Sequence, residues 1–380
     1  MFKRVSHILF LFSFLFSQTE YELWLKDQQT GLNAMAAAEN DYMESVTQEF
    51  ESYVTEQEQL FQSFRDEVEK KWDEFRFSSN KTYVDYDEDL NARGSINFEK
   101  GEVEIEVLVE DDPKQTDLDK ETVANEKLQK KLAQVVTKEA DDKQAMLRDQ
   151  LETNLGQKVT PRNANSFAKN AVDRQPVKME KIKSKDGGKR IKYTIKIKML
   201  PDHLETRAAR YKGEVLKQAK RFEIDPAVAF AIMHTESSFN PLARSPVPAY
   251  GLMQLVPKSG ARDAFNYIYK RDKLVTGLYL YVPKNNVELG CAYIRKLRYV
   301  YFKNIKDNTS AYYCTISAYN TGPGNVSKAF TGKMKITPAV QVVNRKSPPE
   351  VYEILVKKLP YKETRNYLKK VTSRMKDYGG

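Results

Sequence analysis

From Glu205 to the C terminus the apolar side chains recur at helical spacing, so almost half of this 380-residue chain can bury a core only by packing helix on helix. Ala208 to Phe222 is the first predicted helix and Pro226 to Ser238 the second, with Asp225 as N-cap and Pro226 at the first helical position. A third is expected from Lys258 to Phe265, after a loop marked by Pro246, Pro248 and Gly251. Asn285 or Asn286 caps a helix running through Leu297, and Ser310 starts another through Tyr319. The cluster Asn320-Thr321-Gly322-Pro323-Gly324 stops that helix. Pro349 to Leu359 and Lys362 to Tyr378 complete an all-α domain, residues 205–380, of a size usual for one core.

Upstream the period changes from 3.6 to 2. Arg93 to Glu99, the turn Lys100-Gly101 and the alternating Val103, Ile105, Val107 and Val109 predict a hairpin. A matching strand follows Asp186-Gly187-Gly188, where Ile191, Tyr193, Ile195 and Ile197 alternate with polar residues. Polar helical segments, roughly 116–154 and 165–172, lie between, so residues 81–200 read as a small α+β domain. Residues 18–80 are highly charged and carry Phe50, Tyr53, Leu60, Phe61, Phe64, Trp72 and Phe75 at near-helical spacing. One long helix or a helical hairpin is expected there, since the heptad is not kept strictly enough for a coiled coil.

Residues 1–17 have the form of a targeting segment: Lys3 and Arg4 precede an apolar run from Ile8 to Phe16 that is too short for a standard membrane span. A cleaved signal peptide and an uncleaved N-terminal anchor are both compatible with it, and no cysteine follows to accept a lipid. The expected location is the periplasm or cell envelope, with membrane association through the N terminus as one option. Cys291 and Cys314 are the only cysteines; in an oxidising compartment they could pair, and in apolar helical contexts they are as readily simply buried.

Charge is uneven. Residues 201–380 carry 31 Lys and Arg against 14 Asp and Glu, whereas the first 200 carry 31 against 38. The C-terminal part is therefore the one expected to meet a polyanion. Nucleic acid is disfavoured by the export signal and by the lack of a reader motif. Asp85, Asp87, Asp89 and Asn91 imitate a calcium loop but lack its glycine and its final glutamate, so they read as a solvated acidic turn and no metal is expected.

In the second helix Val228, Ile232 and Glu236 follow at four-residue steps, which sets a carboxylate on an apolar face. Burial there would raise its pKa toward that of a general acid at neutral pH. Rotation off the face into water is the other outcome. No other acidic residue occurs between Glu236 and Asp263.

The strings Glu236-Ser237-Ser238-Phe239-Asn240-Pro241, Gly251-Leu252-Met253-Gln254 and Ala318-Tyr319-Asn320-Thr321-Gly322 resemble the three ordered motifs of the family 1 lytic transglycosylases, which have a goose-lysozyme-like fold. Asn286-Val287 with Gly290, and Glu363-Thr364-Arg365 with Tyr367, extend the resemblance over about residues 208–375. It implies a multidomain protein whose C-terminal all-α lysozyme-like domain follows the small α+β domain and the charged helical segment. The implied substrate is peptidoglycan, cut at the β-1,4 bond between N-acetylmuramic acid and N-acetylglucosamine to leave a 1,6-anhydro end, without a cofactor. Glu236 would be acid and then base, and Tyr319 would hold its carboxyl or stabilise developing charge. Ser245 would bond the carboxyl or the substrate N-acetyl group. Met253, Gln254 and Asn320 would line the glycan cleft, and Glu363 would stand near its peptide-bearing side. Rival readings are a lysozyme-type hydrolase on the same fold and a non-enzymatic wall-binding scaffold.

Overall fold

The structure, a computed structural model, describes residues 48, 52, 55, 56, 59–140, 143–245 and 249–379. Residues 1–64 and 65–380 form two separate compact units. The targeting segment, and residues 18–47 with most of 49–58 in the charged helix expected over 18–80, lie outside the described residues. A helix, α1, is described without interruption over 59–71 and ends there. Residues 72–80 do not continue it: Trp72 is buried and its indole Nε1 donates to Leu90 O at 2.8 Å. The apolar spacing around Trp72 and Phe75 therefore serves packing on a sheet, not a longer helix.

That sheet has five antiparallel strands in the order β1-β2-β3-β5-β4: β1 Thr82–Tyr86, β2 Ala92–Asn97, β3 Glu102–Glu110, β4 Lys178–Lys183 and β5 Lys189–Lys198. The two segments read as alternating pair directly, Ile105 opposite Ile195 and Val103 opposite Ile197. Their apolar face is covered by α2 (Asp117–Thr137) and α3 (Ala164–Arg174). Residues 138–140 and 143–163 are irregular, so the helix expected to reach Asn154 ends at Thr137, where β-branched Val135, Val136 and Thr137 close it. The opposite face is polar and also buried: Arg93 (0 % exposed) pairs with Glu106 at 2.6 Å under the Trp72 ring, and Arg76 reaches Glu104 and Glu106. The calcium-like string forms the β1–β2 turn, in which Asp87 Oδ1 accepts from the amides of Asn91 and Ala92.

The second core is helical. It comprises α4 (His203–Phe222), α5 (Pro226–Ser237), α6 (Arg262–Tyr269), α7 (Gly277–Tyr281), α8 (Pro283–Lys296), α9 (Asn308–Thr321), α10 (Pro323–Thr331), α11 (Ile336–Val343), α12 (Pro348–Lys358) and α13 (Lys362–Met375), with single π turns at Pro257–Ala261 and Leu297–Tyr301. Of these, α5 is buried from Ala227 to Thr235 and packs against α4, α8 and α13. Its sequence is apolar on all sides, which suits a central helix better than a surface one. Asp225 caps it by accepting from Ala227 N at 2.8 Å. Three short helices, α7, α10 and α11, were not anticipated from the sequence. Cys291 and Cys314 are both buried and unpaired, and burial pushes both thiols up.

A buried arginine ties the two cores. Arg207 of α4 donates from Nε to Ser238 O at 3.0 Å and from its other nitrogens to Phe98 O and Gln150 Oε1 of the α+β part.

Candidate active site

Helix α5 ends one residue beyond Glu236, and the chain turns back through two consecutive left-handed residues, Ser238 (φ 50°) and Phe239 (φ 61°). Neither is glycine, so this backbone is strained and held by its surroundings. Ser237 Oγ donates to Leu252 O at 2.7 Å, which pins the Gly251–Gln254 turn beside the helix end. Asn286 holds the same turn from the other side: its Oδ1 accepts from Met253 N, and its Nδ2 donates to Tyr250 O and Leu280 O, all at 2.8 Å. Asn286 thus lies inside α8, which begins at Pro283, and the expected cap role is replaced by this clasp.

Gly251 sits at φ +75°, and a Cβ there would stand 2.3 Å from Leu280 O and 2.4 Å from Asn286 Nδ2. Gly251→Ala is expected to destabilise the protein by roughly 2–4 kcal/mol, through left-handed strain plus the broken clasp, and to lower activity with it. Urea unfolding beside the wild type checks this; an unchanged midpoint would sink it.

Glu236, Ser245, Gln254, Tyr319, Asn320 and Glu363 share one groove of about 560 Å³. Glu236 is only partly open to it. Desolvation raises its pKa from the ordinary 4.5 to about 8, against a pull downward from the Tyr367 hydroxyl and the Lys81 ammonium; the Glu363 charge adds to the rise. Tyr367 Oη is buried without a hydrogen-bond partner of normal geometry, and burial, followed by the nearby Glu236 charge, pushes its phenol well up. His234, two residues earlier on α5, is pushed down to about 3 by burial and by the Arg374 and Lys81 charges. It stays neutral at the pH where Glu236 still holds its proton.

The other expected site residues divide by what they touch. Tyr319 lies in the groove, but its hydroxyl donates to Met253 O at 2.8 Å and not to Glu236. The tyrosine that meets the carboxyl is Tyr367. Met253 does not line the cleft: its side chain is fully buried, its Sδ packed at Gly290, and only its backbone serves the site. Gln254 is held at φ 47° with Nε2 donating to Ala243 O and Gly251 O at 3.0 Å, so its amide donors brace the turn. Ser245 Oγ accepts from Ala249 N at 3.3 Å across the loop. Asn320 Oδ1 accepts from Thr364 Oγ1 at 2.7 Å, which fixes its amide at the groove wall. Glu363 is exposed in the first turn of α13.

Asn80 was not legible as a site residue. It lines the groove from the α+β part and donates from Nδ2 to Glu236 O at 2.8 Å, 156 positions along the chain. No local pattern in its coil segment signals that contact. A larger hollow, about 810 Å³ between α3 and β5, contains none of the motif residues.

Residues 214–339 match the model of the transglycosylase SLT domain, and residues 43–210 match that of the N-terminal domain of membrane-bound lytic murein transglycosylase C. The chain is 33% identical over 303 residues to membrane-bound lytic murein transglycosylase C of Klebsiella pneumoniae subsp. pneumoniae, covering 78% of this chain and 82% of that protein. The same figures hold for the protein of that name from Salmonella typhimurium. Among solved structures, an inactive mutant of lytic transglycosylase Slt from Pseudomonas aeruginosa aligns at 27% identity over 44% of this chain and 24% of its own, with a TM-score of 0.34. Two adjoining family matches and a third of the residues shared over most of both chains lead to one conclusion: this protein belongs to the membrane-bound lytic murein transglycosylase C family.

Proposed function

We propose that the protein cleaves the β-1,4 bond between N-acetylmuramic acid and N-acetylglucosamine in peptidoglycan and closes a 1,6-anhydro ring on the muramic acid. The observation that carries this is the Glu236 carboxyl, held protonated up to about pH 8 by desolvation at the wall of a groove. Glu236 gives its proton to the glycosidic oxygen as the C1–O bond breaks, so the leaving sugar departs with a free hydroxyl. The carboxylate then takes the proton of the muramic C6 hydroxyl as that oxygen bonds to C1. One group serves both steps because the nucleophile is internal, whereas the usual two-carboxylate hydrolases must also activate or replace a water. Each turnover returns Glu236 to its acid form and uses no water.

Tyr319, Gln254 and Asn320 support this reading as the groove's frame, with Asn320 presenting its amide to the glycan. Ser245 and Glu363, both on the groove lining, are assigned to the N-acetyl and peptide-bearing sides of the strand. Residues 205–380 carry the chemistry and residues 81–200 form the adjoining α+β domain. The relatives are named membrane-bound, which supports a cell-envelope location. Attachment through residues 1–17 is the route proposed here. Among the described residues no helix is long and apolar enough to cross a membrane.

A second reading, hydrolysis by a lysozyme-type route, is favoured by one observation: Glu363 is a second carboxyl on the same groove. Digestion of cell wall in H₂¹⁸O separates the two. Anhydro products lacking one water and free of label are expected, while reducing ends carrying one ¹⁸O would establish hydrolysis. The rate should also fall as pH rises through about 8, because deprotonation removes the donor. A kcat/KM profile that is lost instead above pH 5 would contradict the assignment of Glu236.

A further inference from the structure

Helix termini leave their last four carbonyls without intrahelical partners, and the carbonyl of Glu236 is one of these. Its neighbours are served locally: Ser238 N donates to His234 O, and Asn240 N to Ser237 O. The left-handed turn at Ser238 and Phe239 carries the chain away without returning a donor to Glu236 O. The donor comes instead from the small domain, as Asn80 Nδ2.

Asn80 is itself held at the tip of a tight turn. Ser79 N donates to Thr82 O at 2.7 Å, and Ser79 Oγ accepts from the amides of Lys81 and Thr82. Phe98 N donates to Lys81 O at 2.9 Å, which fixes the turn to the end of β2. Two residues before the turn, the Phe77 ring lies 5.8 Å from the Arg244 guanidinium, next to the Ser245 rim of the groove. One strap of the α+β part thus touches both the end of α5 and the Arg244 loop.

We propose that Asn80 is a positioning residue for glycan cleavage, setting the last turn of α5, and with it the Glu236 carboxyl, through its bond to the Glu236 carbonyl. This rests on Glu236 being the proton donor, but not on whether the product end is anhydro or reducing. The bond acts on placement and not on affinity. Displacing an acid by about 1 Å costs on the order of a hundredfold in rate, so the loss belongs in kcat.

The test compares wild type, Asn80→Leu, which keeps the branched shape and removes the donor, and Asn80→Gln, which keeps an amide. Bond-cleavage rates are read on soluble glycan strands of defined length, and strand affinity is read with the same Asn80 changes on a Glu236→Gln background. The expected result is a kcat lowered about 10- to 100-fold in Asn80→Leu, affinity within twofold, and partial recovery of kcat in Asn80→Gln. A kcat within twofold of wild type would overturn the proposal. So would a loss of affinity matching the loss of rate, or an Asn80→Gln variant as slow as Asn80→Leu with both melting well below wild type. Product ends read in the same digests distinguish this from failure of the transglycosylase route: reducing ends with the Asn80 effect intact remove that route alone.

Discussion

Glu236→Gln is expected to lower the rate of wall cleavage by about a thousandfold or more, because it removes both the proton donor and the base that follows. The same change should make the protein harder to unfold. The folded carboxyl holds its proton up to about pH 8, against an ordinary value of 4.5. Between those values the unfolded chain releases a proton that the folded chain keeps, so wild-type stability falls as pH rises through this window. Glutamine has no such proton. The melting temperature of Glu236→Gln should therefore exceed that of wild type by a margin that grows from pH 5 to pH 8. Thermal unfolding at the two pH values checks it; an equal margin at both would show that the carboxyl is not desolvated.

Arg207→Met carries the largest expected loss of stability, roughly 3–5 kcal/mol. Arg207 is 1 % exposed and its guanidinium serves three oxygen acceptors: Ser238 O at the end of α5, and Phe98 O and Gln150 Oε1 in the α+β part. It also lies 5.2 Å from the Phe98 ring centroid. Methionine fills part of the volume but leaves these buried acceptors unpaired. Lysine would be no better, since a point charge on a flexible stem cannot bridge acceptors spread over a planar fork. Denaturant unfolding measures the effect, and a loss below about 1 kcal/mol would mean that the arginine is not a strong tie between the two cores.

The catalytic helix was legible because its determinants are local. Asp225, Pro226 and the apolar run through Met233 specify start, direction and burial within a dozen residues, and Glu236 follows from the four-residue step. The paired strands were legible for the same reason, since Val103 to Val109 and Ile191 to Ile197 each alternate. What was lost depends on distant partners. Trp72 reads as a helical apolar residue until a sheet is placed over it, and Met253 reads as a cleft residue until Gly290 shows the space it fills. Tyr319 and Tyr367 are both tyrosines at helical spacing within the matched motifs, and only the fold shows that the first holds the Met253 carbonyl while the second meets the acid. Asn80 has no local signature at all. Its significance arises from the turn at Ser79–Thr82 arriving at a carbonyl that α5 leaves unsatisfied.

The most direct test is to titrate Glu236 itself. Carboxyl ¹³C shifts of glutamate-labelled wild type, with Glu236→Gln used to assign the resonance that disappears, give its pKa in the folded protein. A midpoint near 8 is the expected result. A midpoint near 4.5 would show an ordinary solvated carboxylate at that position and would contradict the account of Glu236 as the proton donor.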